Sequence, residues 1–289
     1  MNILGINAFH GDSSSALLRN GRLATAIEEE RFNRMKHWAG LPVLSAKACL
    51  DGDQADHIAI SRDPRANFAN KILRAATHPR SWHRVASRAV NTVRIGRVSD
   101  ELRAAGIAAK QATVHFVEHH RAHLASAFFC SPFEESAIVS IDGFGDFSSN
   151  MWGIGRGNRI EVKGAVHFPY SLGLFYTAFT QFLGFPKYGD EYKMMGLSAY
   201  GEPRFARQVR DVVKTEGDQC RLNLDYSTHH AQASTSLGKV GRLRSDLFSP
   251  TQCAKSSASQ ESRAPKSSSS ILTWQPRCKQ FSRKIISHF

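Results

Sequence analysis

Two histidines four residues apart, His119 and His123, and an aspartate further along, Asp142, are the residues whose types and spacing suit metal chemistry. If the chain is helical from residue 119, both imidazoles share one face, as two ligands of one ion require. Asp142 adds a hard oxygen ligand. Two nitrogens and one oxygen with open coordination positions suit Zn²⁺ or non-haem Fe²⁺. The same spacing also occurs in ordinary surface histidines, so spacing alone leaves both readings open. Two other stretches hold groups of chemical interest. The turn Phe9-His10-Gly11-Asp12-Ser13-Ser14 gathers backbone N–H groups and hydroxyls, an arrangement that cradles phosphate; a plain hairpin turn is the simpler account. Lys193 sits with two acids in the Gly-bounded stretch Gly189–Gly201, which reads as a solvated loop from which a lysine could reach a phosphate or an acyl group.

These residues need elements to position them. Strands are expected at Ile3–Ile6, Ser14–Leu18 and Leu23–Ile27, the last two joined by the hairpin signal Asn20-Gly21. The charged run Glu28–His37 reads as a solvated helix face or loop, with some groups turned toward a cleft. A helix follows over Val43–Leu50 and a strand over His57–Ser61. Pro64–Asp100 is basic and helical in pattern, with Trp82 and His83 as packing residues. A short strand then ends in HFVEHH and leads into a helix whose apolar positions are Ala122, Ala125 and Phe128. After a Ser131-Pro132 turn, the apolar run Ala137–Ile141 reads as a buried strand that delivers Asp142 into the turn DGFGD. Asn150–Ile154 and Arg159–His167 read as antiparallel strands about Gly157-Asn158. The aromatic stripe Leu172, Phe175, Phe179 and Phe182 marks a core-facing helix over Ser171–Phe185, ending near Gly184 and Pro186. A helix over Arg204–Lys214 completes an α/β pattern.

At 289 residues the chain has room for one large domain or two ordinary ones. Its formal charge of +13 is unevenly placed. From Tyr226 onward, 10 Lys/Arg face only Asp246 and Glu261, a net of +8, which leaves +5 for the first 225 residues. The basicity therefore belongs to the tail and gives no nucleic-acid footprint. The 5 cysteines are scattered without CxxC spacing and indicate neither a disulfide framework nor a zinc knuckle. With no signal-peptide pattern at the start and no apolar run near the roughly 20 residues that span a bilayer, the expectation is a cytoplasmic chain without a membrane partner.

Three pairs of motifs follow one another over Met1–Tyr226. They are FHGDSSSALL with EEERFNRMKH, VEHHRAHLASAF with SIDGFGD, and YSLGLFYTAFTQFLGF with GDEYKMMGLSAYG. In type and order they resemble the N-terminal half of the NodU/CmcH-type carbamoyltransferase family. The resemblance implies an α/β actin-like/sugar-kinase (ribonuclease-H-like) domain over residues 1–226, related to the universal tRNA threonylcarbamoyl-transfer proteins. In full-length members a second, YrdC-like domain makes carbamoyl-adenylate from carbamoyl phosphate and ATP. The first domain holds a divalent metal, iron in the best-understood members, and moves the carbamoyl group to a hydroxyl of a sugar or natural product. Matched residue by residue, His119, His123 and Asp142 fall on metal-ligand positions. His10 falls on the histidine of the family's first turn, a candidate general base or acceptor-orienting group. Lys193 falls at an anion contact for substrate or nucleotide. The implied partner is a small-molecule acceptor. A metal-dependent hydrolase and a non-catalytic metal- or nucleotide-binding module are the alternatives, the first without an evident general-base glutamate between the paired histidines.

The pattern changes over 227–289, where Ser makes up 15 of the final 64 residues from Tyr226 and apolar periodicity fades, a composition that reads as disordered. Here the family expects a continuing domain with a further aspartate ligand. If each codon is rebuilt from one residue's third base and the next residue's first two, Leu237–Glu261 permits WEGGPPEIGPLFSDAMRKVFGEPR. The expectation is a frameshift near Thr228–Ala231, an out-of-frame tail and, because the second domain that makes carbamoyl-adenylate is absent, an impaired chain that transfers no carbamoyl group from carbamoyl phosphate by itself.

Overall fold

The computed structural model describes residues 1–77, 98–185, 187–203, 206–217 and 219–224. The chain divides into two compact units, Met1–Ala165 and Val166 onward.

The first unit opens with β1 (Asn2–Asn7), β2 (Ser14–Arg19) and β3 (Arg22–Glu28), followed by α1 (Glu30–Asn33), α2 (Val43–Leu50), β4 (Ala55–Ile60), α3 (Phe68–Thr77) and β5 (Ala108–Phe116). The strands form one sheet in the order β3-β2-β1-β4-β5. The first three are an antiparallel meander, while β4 runs parallel to β1 and β5 parallel to β4. Positive φ at Asn20 and Gly21 (51° and 80°) supplies the backbone that a two-residue hairpin needs. Alternation sends Leu4, Ile6, Leu17, Ile58 and Ile60 to one face, where they pack with Ala46, Cys49 and Leu50 of α2 and with Val98 and Leu102 of the helical residues 98–104. Each such aliphatic side chain contributes roughly 1.5–3 kcal/mol by leaving water. This is the actin-like, ribonuclease-H-like α/β sheet that the resemblance implies.

The charged run after β3 has a structural purpose. Glu29 is buried, and its carboxylate accepts hydrogen bonds from the N–H groups of Leu44 and Ser45 at 3.1 and 2.7 Å. It caps the first turn of α2, whose own N-cap, Pro42, offers no side-chain acceptor. Of the basic stretch Pro64–Asp100, α3 and residues 98–100 are helical; Trp82 and His83 lie outside the described residues.

Next come α4 (His119–Phe129), β6 (Glu135–Gly145), β7 (Ser148–Arg156) and β8 (Arg159–His167), the strands forming a second sheet in the order β6-β7-β8. Leu124 and Phe128 of α4 pack on Ile138 and Met151. Two expectations change here. The inward residues of α4 are His119, His120, Leu124 and Phe128, whereas Ala122 and Ala125 are only partly covered. The run Ala137–Ile141 is not buried on both sides, because the strand alternates and leaves Val139 63 % and Ile141 57 % exposed. Apolar content alone could not reveal that only one face has a covering layer.

In the second unit, Ser171 caps α5 (Leu172–Phe182), its hydroxyl accepting from the Leu174 N–H at 3.1 Å. The aromatic stripe is half-buried, with the Phe175 and Phe179 rings 4.8 Å apart in an edge-on arrangement. The stretch expected as a loop over Gly189–Gly201 instead contains a helix, α6 (Glu191–Ser198). The helix expected to Lys214 stops as α7 (Ala206–Val212), and an unanticipated hairpin follows, β9 (Val213–Glu216) with β10 (Gln219–Leu222). Residues 225–289, and with them the tail, lie outside the described residues. No helix among the described residues is long and apolar enough to cross a membrane.

Candidate metal centre

Parallel strands gather loops at their carboxyl ends, where ligands bind in open α/β sheets. His10 follows the end of β1, Arg62 the end of β4 and His119 the end of β5, so the three arrive at the same edge. The turn carrying His10 is stitched down from inside. The Phe9 N–H donates to Gly40 O at 3.2 Å, the Ser13 N–H to Trp38 O at 2.9 Å and the Ser13 hydroxyl to Gly40 O at 2.8 Å. Those bonds brace the turn against the segment that holds Trp38 and Gly40.

Helix α4 begins under two carboxylates. Glu118 is its N-cap and accepts from the Arg121 N–H at 2.7 Å; burial raises the pKa of its carboxyl. Asp146, with a side chain only 4 % exposed, accepts from the His119 N–H at 3.0 Å and from the Asp63 N–H at 2.8 Å through the same oxygen. One carboxylate thus ties the start of α4 to the loop after β4. Asp146 adopts a left-handed φ of 47°, a conformation that aspartate tolerates better than most residues. Beside it, Gly145 lies so close to His119 that a Cβ there would stand 2.0 Å from the imidazole Cδ2. Glycine is required for the ring to lie where it does.

The ligand atoms converge. His119 Nε2 is 2.9 Å from Asp142 Oδ2 and 3.0 Å from His123 Nε2, and His123 Nε2 is 3.5 Å from the same carboxylate oxygen. Ligands about 2.1 Å from a single ion stand roughly 3.0–3.4 Å apart at right-angle to tetrahedral geometry. The trio fits a divalent ion on donor type and on spacing. His119 is 8 % exposed while the His123 side chain is 50 % exposed, so one side of the trio faces solvent. Burial alone would raise the pKa of Asp142, but hydrogen bonds from His119, His123 and the Gly143 N–H outweigh it and hold the carboxyl far below the usual carboxylate range.

The His10 ring centroid is 5.4 Å from that of His119. Burial, then the neighbouring His119, lowers the pKa of His10, with Asp142 acting in the opposite sense. His120, fully buried, places Nδ1 2.8 Å from the Ser140 hydroxyl and stacks edge-on against His119; burial brings its pKa down to about 4. A small cleft lies beside the trio, lined among others by Asn7, His10, Arg62, His119, Phe144 and Asp146. His10, His119, His123 and Asp142 are therefore brought together. Lys193 belongs to the second unit, where its ammonium contacts Asp190 Oδ1 at 2.6 Å. Arg62, His120, Gly145 and Asp146 were not singled out from sequence. Arg62 was detectable as a charged residue just past a parallel strand, and Asp146 as the second acid of DGFGD.

The family model for the carbamoyltransferase N-terminus matches residues 2–271. An uncharacterized protein of Synechocystis sp. is 33 % identical over 268 residues, 85 % of this chain and 42 % of that protein. The nodulation protein NolNO of Sinorhizobium fredii is 38 % identical over 202 residues, 68 % of this chain and 29 % of its own length. This chain thus spans less than half the length of either relative. Among solved structures, YeaZ from Pseudomonas aeruginosa is 21 % identical with a TM-score of 0.27, covering 57 % of this chain and 67 % of that one. With its family model matched over most of its length, the chain belongs to the carbamoyltransferase N-terminus family.

Proposed function

We propose that the first unit carries the acceptor half-reaction of a carbamoyl transfer, in which a carbamoyl group passes from a carbamoyl-adenylate to a hydroxyl of a sugar or natural product. What supports the reading is the convergence of His119 Nε2, His123 Nε2 and Asp142 Oδ2 beside His10, in a chain of this family. His119, His123 and Asp142 would hold a divalent ion, iron by resemblance. When bound, such an ion supplies Lewis acidity toward a carbonyl or hydroxyl oxygen. Burial disfavours the imidazolium of His10, so its ring is neutral at neutral pH and able to accept a proton. The acceptor hydroxyl gives that proton to His10 as its oxygen bonds to the carbamoyl carbon. The bond from that carbon to the phosphoryl oxygen then breaks, and AMP leaves with the electron pair. Lys193, held by Asp190, is an anion contact on the resemblance alone. The resemblance assigns carbamoyl-adenylate formation, from carbamoyl phosphate and ATP, to a further domain of the longer relatives.

The test supplies the full chain, loaded with ferrous iron, with carbamoyl-adenylate generated in situ by a longer relative whose own transfer site is disabled. Acceptors from a panel of hydroxylated small molecules are then screened by mass spectrometry. A carbamate ester that disappears with His119→Ala and His10→Ala is expected. Its absence with every acceptor, while the chain holds its metal, contradicts the reading.

A further inference from the structure

One group in the cleft has no part in the scheme above. Arg62 lines it together with His10 and His119, and its Nη1 is closed off from solvent without a hydrogen-bond partner. Its Nε stands 3.9 Å from Asp146 Oδ1, too far for a hydrogen bond. The other oxygen of Asp146 already serves the N–H groups of Asp63 and His119. Asp146 thus balances the charge of Arg62 without satisfying its donors. A buried guanidinium N–H without an acceptor is costly, and such groups in folded proteins call for an explanation. The planar donor fork of arginine fits phosphoryl oxygens better than any other side chain.

We propose that Arg62 is a substrate-contacting residue that binds the phosphoryl oxygens of the carbamoyl donor. The assignment rests on the transfer reading above and extends it to the leaving group. Breakage of the bond between the carbamoyl carbon and the phosphoryl oxygen leaves negative charge on AMP, and Arg62 neutralises that charge as it forms. Asp146 holds the start of the metal-ligand helix and lies next to Arg62, so the donor's phosphate and the ligand His119 share one support.

The inference is tested by binding, separately from turnover. AMP is titrated calorimetrically into the full-length, zinc-loaded chain as wild type, Arg62→Gln and Arg62→Lys, and zinc affinity is measured for each. Loss of one charge-assisted contact should weaken AMP binding about tenfold or more in Arg62→Gln and less in Arg62→Lys, with zinc affinity unchanged. Should Arg62→Gln fail to fold by circular dichroism, Arg62→Lys decides, and AMP affinity equal to wild type overturns the proposal. Equal AMP binding by wild type and Arg62→Gln overturns the role of Arg62 and leaves the transfer reading standing. A wild type that binds zinc but no AMP overturns both.

Discussion

Among the described residues of the first unit, two histidine pairs bring ring nitrogens within hydrogen-bond distance of each other, and only one is placed as a ligand set. His57 Nδ1 and His115 Nε2 lie 3.2 Å apart on the neighbouring strands β4 and β5. His119 Nε2 and His123 Nε2 lie 3.0 Å apart on one helix face. The distances are nearly equal, so imidazole proximity does not distinguish them. The surroundings do. The strand pair points from an exposed sheet surface, and among the described residues it gathers no third ligand. The helical pair stands at the carboxyl ends of parallel strands, meets Asp142, and rests on Gly145 and Asp146. A carboxylate and a supporting layer turn two imidazoles into a candidate centre.

The comparison can be broken most forcefully at the ligands. His119→Ala or Asp142→Ala should lower zinc affinity more than about a hundredfold, beyond the range usual for outer supporting groups, while His57→Ala and His115→Ala should leave it within about twofold; competitive chelator titration measures all four. Gly145→Ala comes next, because its methyl group would overlap the His119 ring. Zinc affinity should fall about 10–100-fold, with a stability loss of roughly 1–3 kcal/mol in urea unfolding. Asp146→Asn keeps the shape and removes the charge that holds the His119 N–H. Zinc affinity should fall about tenfold. The last comparison reads proton linkage at His120 and not metal affinity. Its pKa drops from the ordinary 6.5 to about 4 in the folded chain, so the unfolded chain binds the extra proton more readily. Stability contributed by the neutral ring is full above pH 6.5 and declines as pH falls toward about 4, with a slope approaching one proton. Urea unfolding with EDTA present, at several pH values, should show that slope in wild type and a shallower one in His120→Asn.

Much of the scaffold was legible because it follows local rules. The Asn20-Gly21 hairpin, the alternating strands and the i, i+4 spacing of His119 and His123 are written in contiguous residues. The supports are not. Asp146 acts on residues 27 and 83 positions away, and Arg62 becomes interesting only once β4 lies parallel to β1 and β5. The half-exposed state of β6 depends on which layers cover it. Glycines bounding Gly189–Gly201 suggested a loop, yet the interior EYKMMGLS forms a helix with none of its residues fully buried, a segment whose periodicity carries little signal. His120 escaped notice because a ligand pattern singles out its neighbour, although burial reaches both.

The central claim is that His119, His123 and Asp142 form one metal centre. Zinc titration of the full chain, followed by X-ray absorption at the zinc edge, tests it directly. One ion per chain with imidazole scattering is predicted, lost in a His119→Ala/His123→Ala double variant and retained in His57→Ala/His115→Ala. Equal zinc binding by both double variants would contradict the account.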